Sequence, residues 1–432
     1  MSKKRLSKLI ALCVVASTIS IGSFSSNLVK ADAVNGDVYV STTGNANADG
    51  TLNNPTTFEV ALTKVAPGGT IYVMGGTYTY NNQITIQRGN DGQADKLKNI
   101  QPYEGGKVVL DFSSETYGNP SKVSNARGLQ VNGNYWHVKG IEVKGAADNG
   151  IYVAGNNNLF ELCETDYNRD AGFQVGRYAK NVPSNNWPSN NLILNCTSHD
   201  NADPDNGEDA DGFACKLTVG PGNVFKGCIS HHNIDDGWDL YAKKATGAIA
   251  PVTIEDCVAY NNGATSNGTS TADSDGNGFK LGGDKIAVSH VVKNCVSFNN
   301  KKHGFTFNSN PGSISLTNCT GYNNGSSKGS NFAFNNGTAI LTNCLSYKSS
   351  ANDKISANAT IKSNVFWSTD HKKGTTQVLC TDKDFVSITP YVGRNADGTI
   401  DLGDFLKLSS TSKFVGAGVG GANIGATFSV IK

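Results

Sequence analysis

Residues 233–241 read NIDDGWDLY, which places Asp235, Asp236 and Asp239 around Gly237 within five residues. Two neighbouring stretches share the frame of glycine, aromatic, variable, apolar: DADGFACKL at 209–217 and GNGFKLGG at 276–283. Aligned on Gly212, Gly237 and Gly278, they are successive copies of one strand. GFQV at 172–175 and GFTF at 304–307 extend the series on both sides. Side chains alternate across a strand, so Phe173, Phe213, Trp238, Phe279 and Phe305 point inward as an aromatic stack. Val175, Cys215, Leu240, Leu281 and Phe307 point inward beside them. The position between faces outward and holds in turn Gln174, Ala214, Asp239, Lys280 and Thr306. The position before the glycine holds Ala171, Asp211, Asp236, Asn277 and His303.

A second repeat precedes each of these strands. Cys163, Cys196, Cys228, Cys257, Cys295 and Cys319 are each followed five residues later by Asn168, Asn201, Asn233, Asn262, Asn300 and Asn324. Cys344 continues the series with Ser349 in the asparagine position, and Ile141 takes the cysteine position in an earlier coil. The cysteines recur every 24 to 38 residues, which fits a coil of three short strands with insertions at one corner. The fold class expected is therefore all-β, a parallel β-helix. Stacked coils place equivalent residues about 4.8 Å apart. The cysteines then form an interior stack of small apolar side chains rather than disulfides, and the asparagines an amide-to-amide ladder inside the turns. From cysteine to glycine the distance is nine residues in the coils of Cys163, Cys228 and Cys295, but sixteen and twenty-one in those of Cys196 and Cys257. Two long corners thus flank the aspartate-rich coil and are placed to wall a groove.

The 432 residues include 49 Gly with no collagen-like period. That is turn chemistry at high density, suited to many short strands in one solenoid. Residues 1–33 read as a secretory signal peptide: Lys3, Lys4, Arg5 and Lys8 precede an apolar run from Leu9 to Ile21, and Ala31-Asp32-Ala33 offers a cleavage site. Its removal takes five basic residues and one acidic one from 37 and 36, leaving 32 against 35. A chain so balanced is a poor nucleic-acid binder, and a polyanionic substrate requires local cations or a metal. No later apolar run approaches membrane length, so a secreted, extracellular, monomeric protein is expected. Residues 34–432 are expected to form one domain. Its N-terminal cap, about 34–80, contains a short amphipathic helix over Thr56 to Val65. An irregular segment, about 385–432, is expected to pack over the far end.

Stacking sets Asp211 beside Asp236, and Asp239 beside Lys280. Four carboxylates (Asp211, Asp235, Asp236, Asp239) converging within one or two coil rises repel by on the order of a few kcal/mol per close pair. A hard cation removes that repulsion, and all-oxygen ligands without His or Cys favour calcium over zinc. Lys280, held beside a dication and partly shielded from water, is expected to have a lowered pKa and to serve as a base. His303 is the rival base, whereas His231 and His232 lie away from the groove strand. Asp397, Asp401 and Asp404 form a weaker candidate for a second ion site.

The segment from about Asn191 to Asn300, with DADGF, IDDGWD and GNGFKLGG, resembles the pectate lyases of polysaccharide lyase family 9. The opening from Val38 to Tyr78 is similar to that family's N-terminal cap. The resemblance implies a right-handed parallel β-helix with one Ca2+ held by Asp211, Asp235, Asp236 and Asp239, and Lys280 as Brønsted base. It implies a lyase that cleaves de-esterified α-1,4-polygalacturonate, the polysaccharide of pectate, by β-elimination. Lys216, Tyr241 and Lys243, on or just beyond the same strands, are candidates to hold flanking sugars. Two other readings keep the fold: a hydrolase of the polygalacturonase kind, whose Asn-Thr-Asp and Arg-Ile-Lys signatures are missing here, and a non-catalytic β-helical carbohydrate-binding or adhesin protein.

Overall fold

A computed structural model describes residues 36–117, 126–326, 328–368 and 379–428; the expected signal peptide lies outside them. Each coil contributes one short strand to each of three parallel sheets, of 12, 10 and 10 strands among the described residues. The strands that follow the cysteines, such as Ile229–His231, form what we call the cysteine sheet. The glycine-aromatic strands, such as Trp238–Asp239 and Phe279–Lys280, form the site sheet. The third sheet, with strands such as Val224–Lys226, closes the triangle.

The corners explain the repeat. The residue before each cysteine has positive φ (Leu162, Asn195, Asp256, Asn294, Asn318 and Asn343 all lie between 49° and 55°). So does the residue before each ladder asparagine, from Tyr167 and Asp200 to Asn323. A single left-handed residue turns the chain at each of these corners, a conformation asparagine tolerates well. Beyond the second turn the asparagine amides bond from coil to coil: Asn168 to Asn201 at 2.9 Å, Asn201 to Asn233 at 2.8 Å, Asn233 to Asn262 at 3.0 Å, Asn262 to Asn300 and Asn300 to Asn324 at 2.9 Å. The last rung passes to Asn331 at 2.8 Å. A second ladder, Asn158–Asn191–Asn223, has no counterpart in the sequence reading. The ladder also dictates the glycine. A Cβ on Gly212 would stand 2.0 Å from Ser230 Oγ and 2.7 Å from Asn233 Nδ2.

Cys163, Cys196, Cys228, Cys257, Cys295, Cys319 and Cys344 are free thiols in the core, as expected of an interior stack. Phe213, Trp238, Phe279, Phe305 and Phe332 stack face to face at centroid spacings of 4.7–5.1 Å. The N-terminal helix spans Phe58–Lys64, capped by the Thr57 hydroxyl, and buries Phe58, Ala61 and Leu62 over the first coil.

The C-terminal segment departs from expectation. It lies along the side of the solenoid, not over its far end. Phe385, Ile400, Leu402, Phe405 and Phe414 pack on Val258, Val296, Phe298, Tyr322 and Leu345 of the cysteine sheet. Arg394 donates to the carbonyls of Cys196 and Gly227. The reason is an apolar outer face on this sheet, which has to be covered. Among the described residues no helix is long and apolar enough to cross a membrane.

Candidate active site

Register brings the predicted residues together. Phe213 pairs with Trp238 and Ala214 with Asp239, which sets Asp211 against Asp236; Asp239 pairs with Lys280. Ligand oxygens of Asp211, Asp235 and Asp236 lie within 4.8 Å of one another.

The carboxylates lie on the outer side of the sheet yet are buried, contrary to the open, outward placement expected of them. Asp211, Asp235, Asp236 and Asp239 are each under 5 % exposed. The two long corners cause this by closing over the short corner between them. Ser266 N donates to Asp200 Oδ1 at 2.6 Å, and Gly207 lies directly against Thr271. Asp235 Oδ1 accepts from the Asp275 amide at 2.6 Å. Asp236 Oδ1 accepts from the Asn277 amide at 2.6 Å and from its side chain at 2.8 Å.

Two lysines enter the cluster. Lys280 Nζ lies 3.0 Å from Asp236, 3.5 Å from Asp275 and 3.9 Å from Asp239. Lys216, anticipated at the edge as a sugar contact, is drawn inside, with Nζ 2.8 Å from both Asp209 and Asp211 and 3.3 Å from Asp239. Burial, then mutual repulsion, pushes the Asp211 and Asp235 carboxyls well above the usual carboxylate range; Asp236 is raised for the same reasons. Burial lowers the pKa of the Lys280 ammonium, but Asp236, Asp239, Asp235 and Asp211 outweigh it and hold that group well above its ordinary value. The lowering expected from sequence concerns Lys280 beside a dication on these carboxylates, a different electrostatic state.

The donor set fits a hard cation. Asp239 Oδ1 is buried without a hydrogen-bond partner, Asp236 Oδ2 faces only the Lys280 ammonium at 3.0 Å, and every candidate ligand atom is a carboxylate oxygen. Tyr241 donates its hydroxyl to Asp284 Oδ1 at 2.7 Å, with its ring 6.0 Å from Lys280 Nζ. That ring lies on Gly283, where a Cβ would meet it at 2.3 Å, so the Gly-Gly pair makes its seat. Lys243 is exposed at the groove. His303 sits outside the cluster, its Nδ1 accepting from the Ser330 amide at 3.1 Å, and burial lowers its pKa to about 4.

Asp209, Asp275 and Asn277 were not singled out from sequence as site residues. The first two stand in the quoted motifs or one residue outside them, and only their contacts with the lysines mark them. Asp397, Asp401 and Asp404 do not converge: they bond to Thr399, Gly403 and Lys407 respectively. His199, Asp200 and His231 form a second grouping on the cysteine sheet. The two rings stack in parallel at 4.7 Å and 3°, so their nitrogen lone pairs do not converge on one point.

The family model described as Pel9A-like, right handed beta helix region, matches residues 38–352. Pectate lyase L of Paenibacillus polymyxa (strain SC2) is 56 % identical over 391 residues, covering 90 % of this chain and 85 % of that protein. Pectate lyase L of Dickeya dadantii (strain 3937) is 33 % identical, covering 95 % and 92 %. The crystal structure of pectate lyase Pel9A superposes with a TM-score of 0.76 at 31 % identity, covering 90 % of this chain and 96 % of that one. With its coils, its register and its cluster of aspartates in place, the chain belongs to the Pel9A-like right-handed β-helix family.

Proposed function

We propose that this protein is a secreted, calcium-dependent pectate lyase that cleaves de-esterified α-1,4-polygalacturonate by β-elimination. The observation that carries the reading is Lys280 Nζ, 3.0 Å from Asp236 Oδ2 in a buried set of carboxylates of which Asp239 Oδ1 has no hydrogen-bond partner. Asp211, Asp235, Asp236 and Asp239 hold the ion. When bound, calcium engages the uronate carboxylate and makes the proton on carbon 5 more acidic. Lys280, as the neutral amine, takes that proton onto Nζ. The electron pair of the broken bond forms the double bond between carbons 4 and 5, and the oxygen on carbon 4 leaves with its electrons. Lys216 is the counter-charge that fixes Asp211 and Asp239; Tyr241 and Lys243 face the groove and contact flanking sugars.

The test is the ultraviolet absorbance of unsaturated uronate released from polygalacturonate, with calcium and with a chelator. Release that continues under chelation removes the metal from the reading. Reducing ends formed without new absorbance mean hydrolysis instead.

A further inference from the structure

On the N-terminal side of the carboxylates, the outward row of the site sheet continues through Ala214, Gln174 and Tyr152. At about 4.8 Å per coil, Gln174 and Tyr152 stand roughly 10 and 14 Å from Asp239. A groove of about 550 Å³ lies over this row. Its lining includes Arg127, Arg177, Lys180, Lys216 and Lys243, and no carboxylate. The Arg127 guanidinium lies 3.4 Å from the centroid of the Tyr152 ring and donates to Gln130 Oε1 at 2.9 Å, which fixes its plane. Its Nε makes no hydrogen bond and lies 3.8 Å from Asp148 Oδ2, a long ion pair that compensates its charge only in part. The Arg177 backbone is held on both sides: its carbonyl accepts from the Tyr152 hydroxyl at 2.9 Å and its amide donates to Thr218 Oγ1 at 3.0 Å. On the C-terminal side the cations next to the cluster are engaged, and the next lysine of the outward row is the exposed Lys354, three coils from Lys280. Lys302 pairs with Asp275, and Lys301 donates to Thr271 and Ser274. Arg177, Lys180 and Lys243 make no ion pair among the described residues, so a polyanion crossing the cluster meets a concentration of unpaired positive charge on its N-terminal side.

We propose that the polyuronate chain is held across the N-terminal coils, with Arg177 and Arg127 receiving its carboxylates three to four coils from Lys280. These two arginines are specificity-determining residues that select an acidic polysaccharide over a neutral one. Both present planar forks suited to carboxylate, and Tyr152 orients Arg127. The inference rests on the lyase reading of the carboxylate cluster and adds the direction in which the substrate lies.

The experiment is steady-state kinetics on polygalacturonate with Arg177→Ala and Arg127→Ala, at two salt concentrations. KM should rise roughly tenfold in each, with kcat changed by less than about twofold, because these contacts are uniform binding remote from the bond broken. The rise should shrink at high salt, and Arg177→Lys should recover part of it. Unchanged KM in Arg177→Ala overturns the proposal, as does a loss confined to kcat. Arg127 packs on Tyr152, so its variant is read only where its melting temperature matches wild type; Arg177→Ala carries the decision otherwise. Absence of unsaturated product from the wild type would end the lyase reading alone. The groove is then judged by retardation of the protein in gels containing polygalacturonate: loss in Arg177→Ala supports it, and equal retardation overturns it.

Discussion

Lys280 sits among carboxylates that hold its proton, and a base must first lose that proton. A dication on the same carboxylates reverses the local field, so the pKa of Lys280 should fall when calcium binds. Turnover at saturating calcium should climb with pH until that lowered value is passed, and pH–rate profiles at several calcium concentrations check this. Lys280→Ala should abolish turnover while leaving calcium and substrate binding nearly unchanged by calorimetry. Lys280→Arg should fare almost as badly, since a guanidinium stays charged at any working pH. Wild-type turnover in Lys280→Ala would hand the role to another group. Asp236 makes a different prediction from the one its outward strand position suggests. Asp236→Ala strips the acceptor from two Asn277 donors, so it should cost about 1–3 kcal/mol of stability as well as calcium affinity. Asp236→Asn keeps an acceptor and should separate the two effects, with affinity lost and melting nearly preserved.

Within the site sheet, alternation decides what each position is for. Trp238 is fully buried between Phe213 and Phe279, at 4.8 and 4.7 Å. Trp238→Ala should destabilise by roughly 3–5 kcal/mol. Thr306, on the outer row two coils from Trp238, should cost less than about 1 kcal/mol when changed to Ala. Equal losses in urea melts would refute the assignment of faces. This part was legible because period-two alternation and coil-to-coil register are local properties. Phe213, Trp238 and Phe279 could be aligned on their glycines without any knowledge of distant contacts. Asn331 was not legible as the end of the ladder, because it enters the row from outside the five-residue spacing to the cysteine.

For the molecule as a whole, the side of the solenoid matters as much as its core. On the cysteine sheet His199 lies between Glu164, at 3.0 Å, and Asp200, at 2.8 Å. Burial opposes its charge, but Asp200 and Glu164 outweigh it and raise its pKa to about 9. The folded value lies above the unfolded one, so this charge stabilises fully below about pH 6.5, and the contribution disappears as pH rises through about 9. The loss should be on the order of 2–3 kcal/mol. Melting temperatures should therefore decline more steeply over that range in wild type than in His199→Gln; parallel curves would dismiss the ion pairs as a source of stability.

What the chain by itself determined was the solenoid, its inward stack, its asparagine ladder and the juxtaposition of Asp211 with Asp236 and Asp239 with Lys280. In a parallel β-helix each of these follows from a short repeat read against a fixed rise. Only the tertiary structure decided that the carboxylates are buried, that Lys216 reaches Asp209, Asp211 and Asp239, and that Arg127 and Arg177 line one groove. It alone laid the C-terminal segment along the cysteine sheet. These outcomes depend on long corners meeting across an intervening coil and on where the ends of long side chains come to rest. Neither is encoded in a repeat, because both are set by closure through space between segments far apart in sequence.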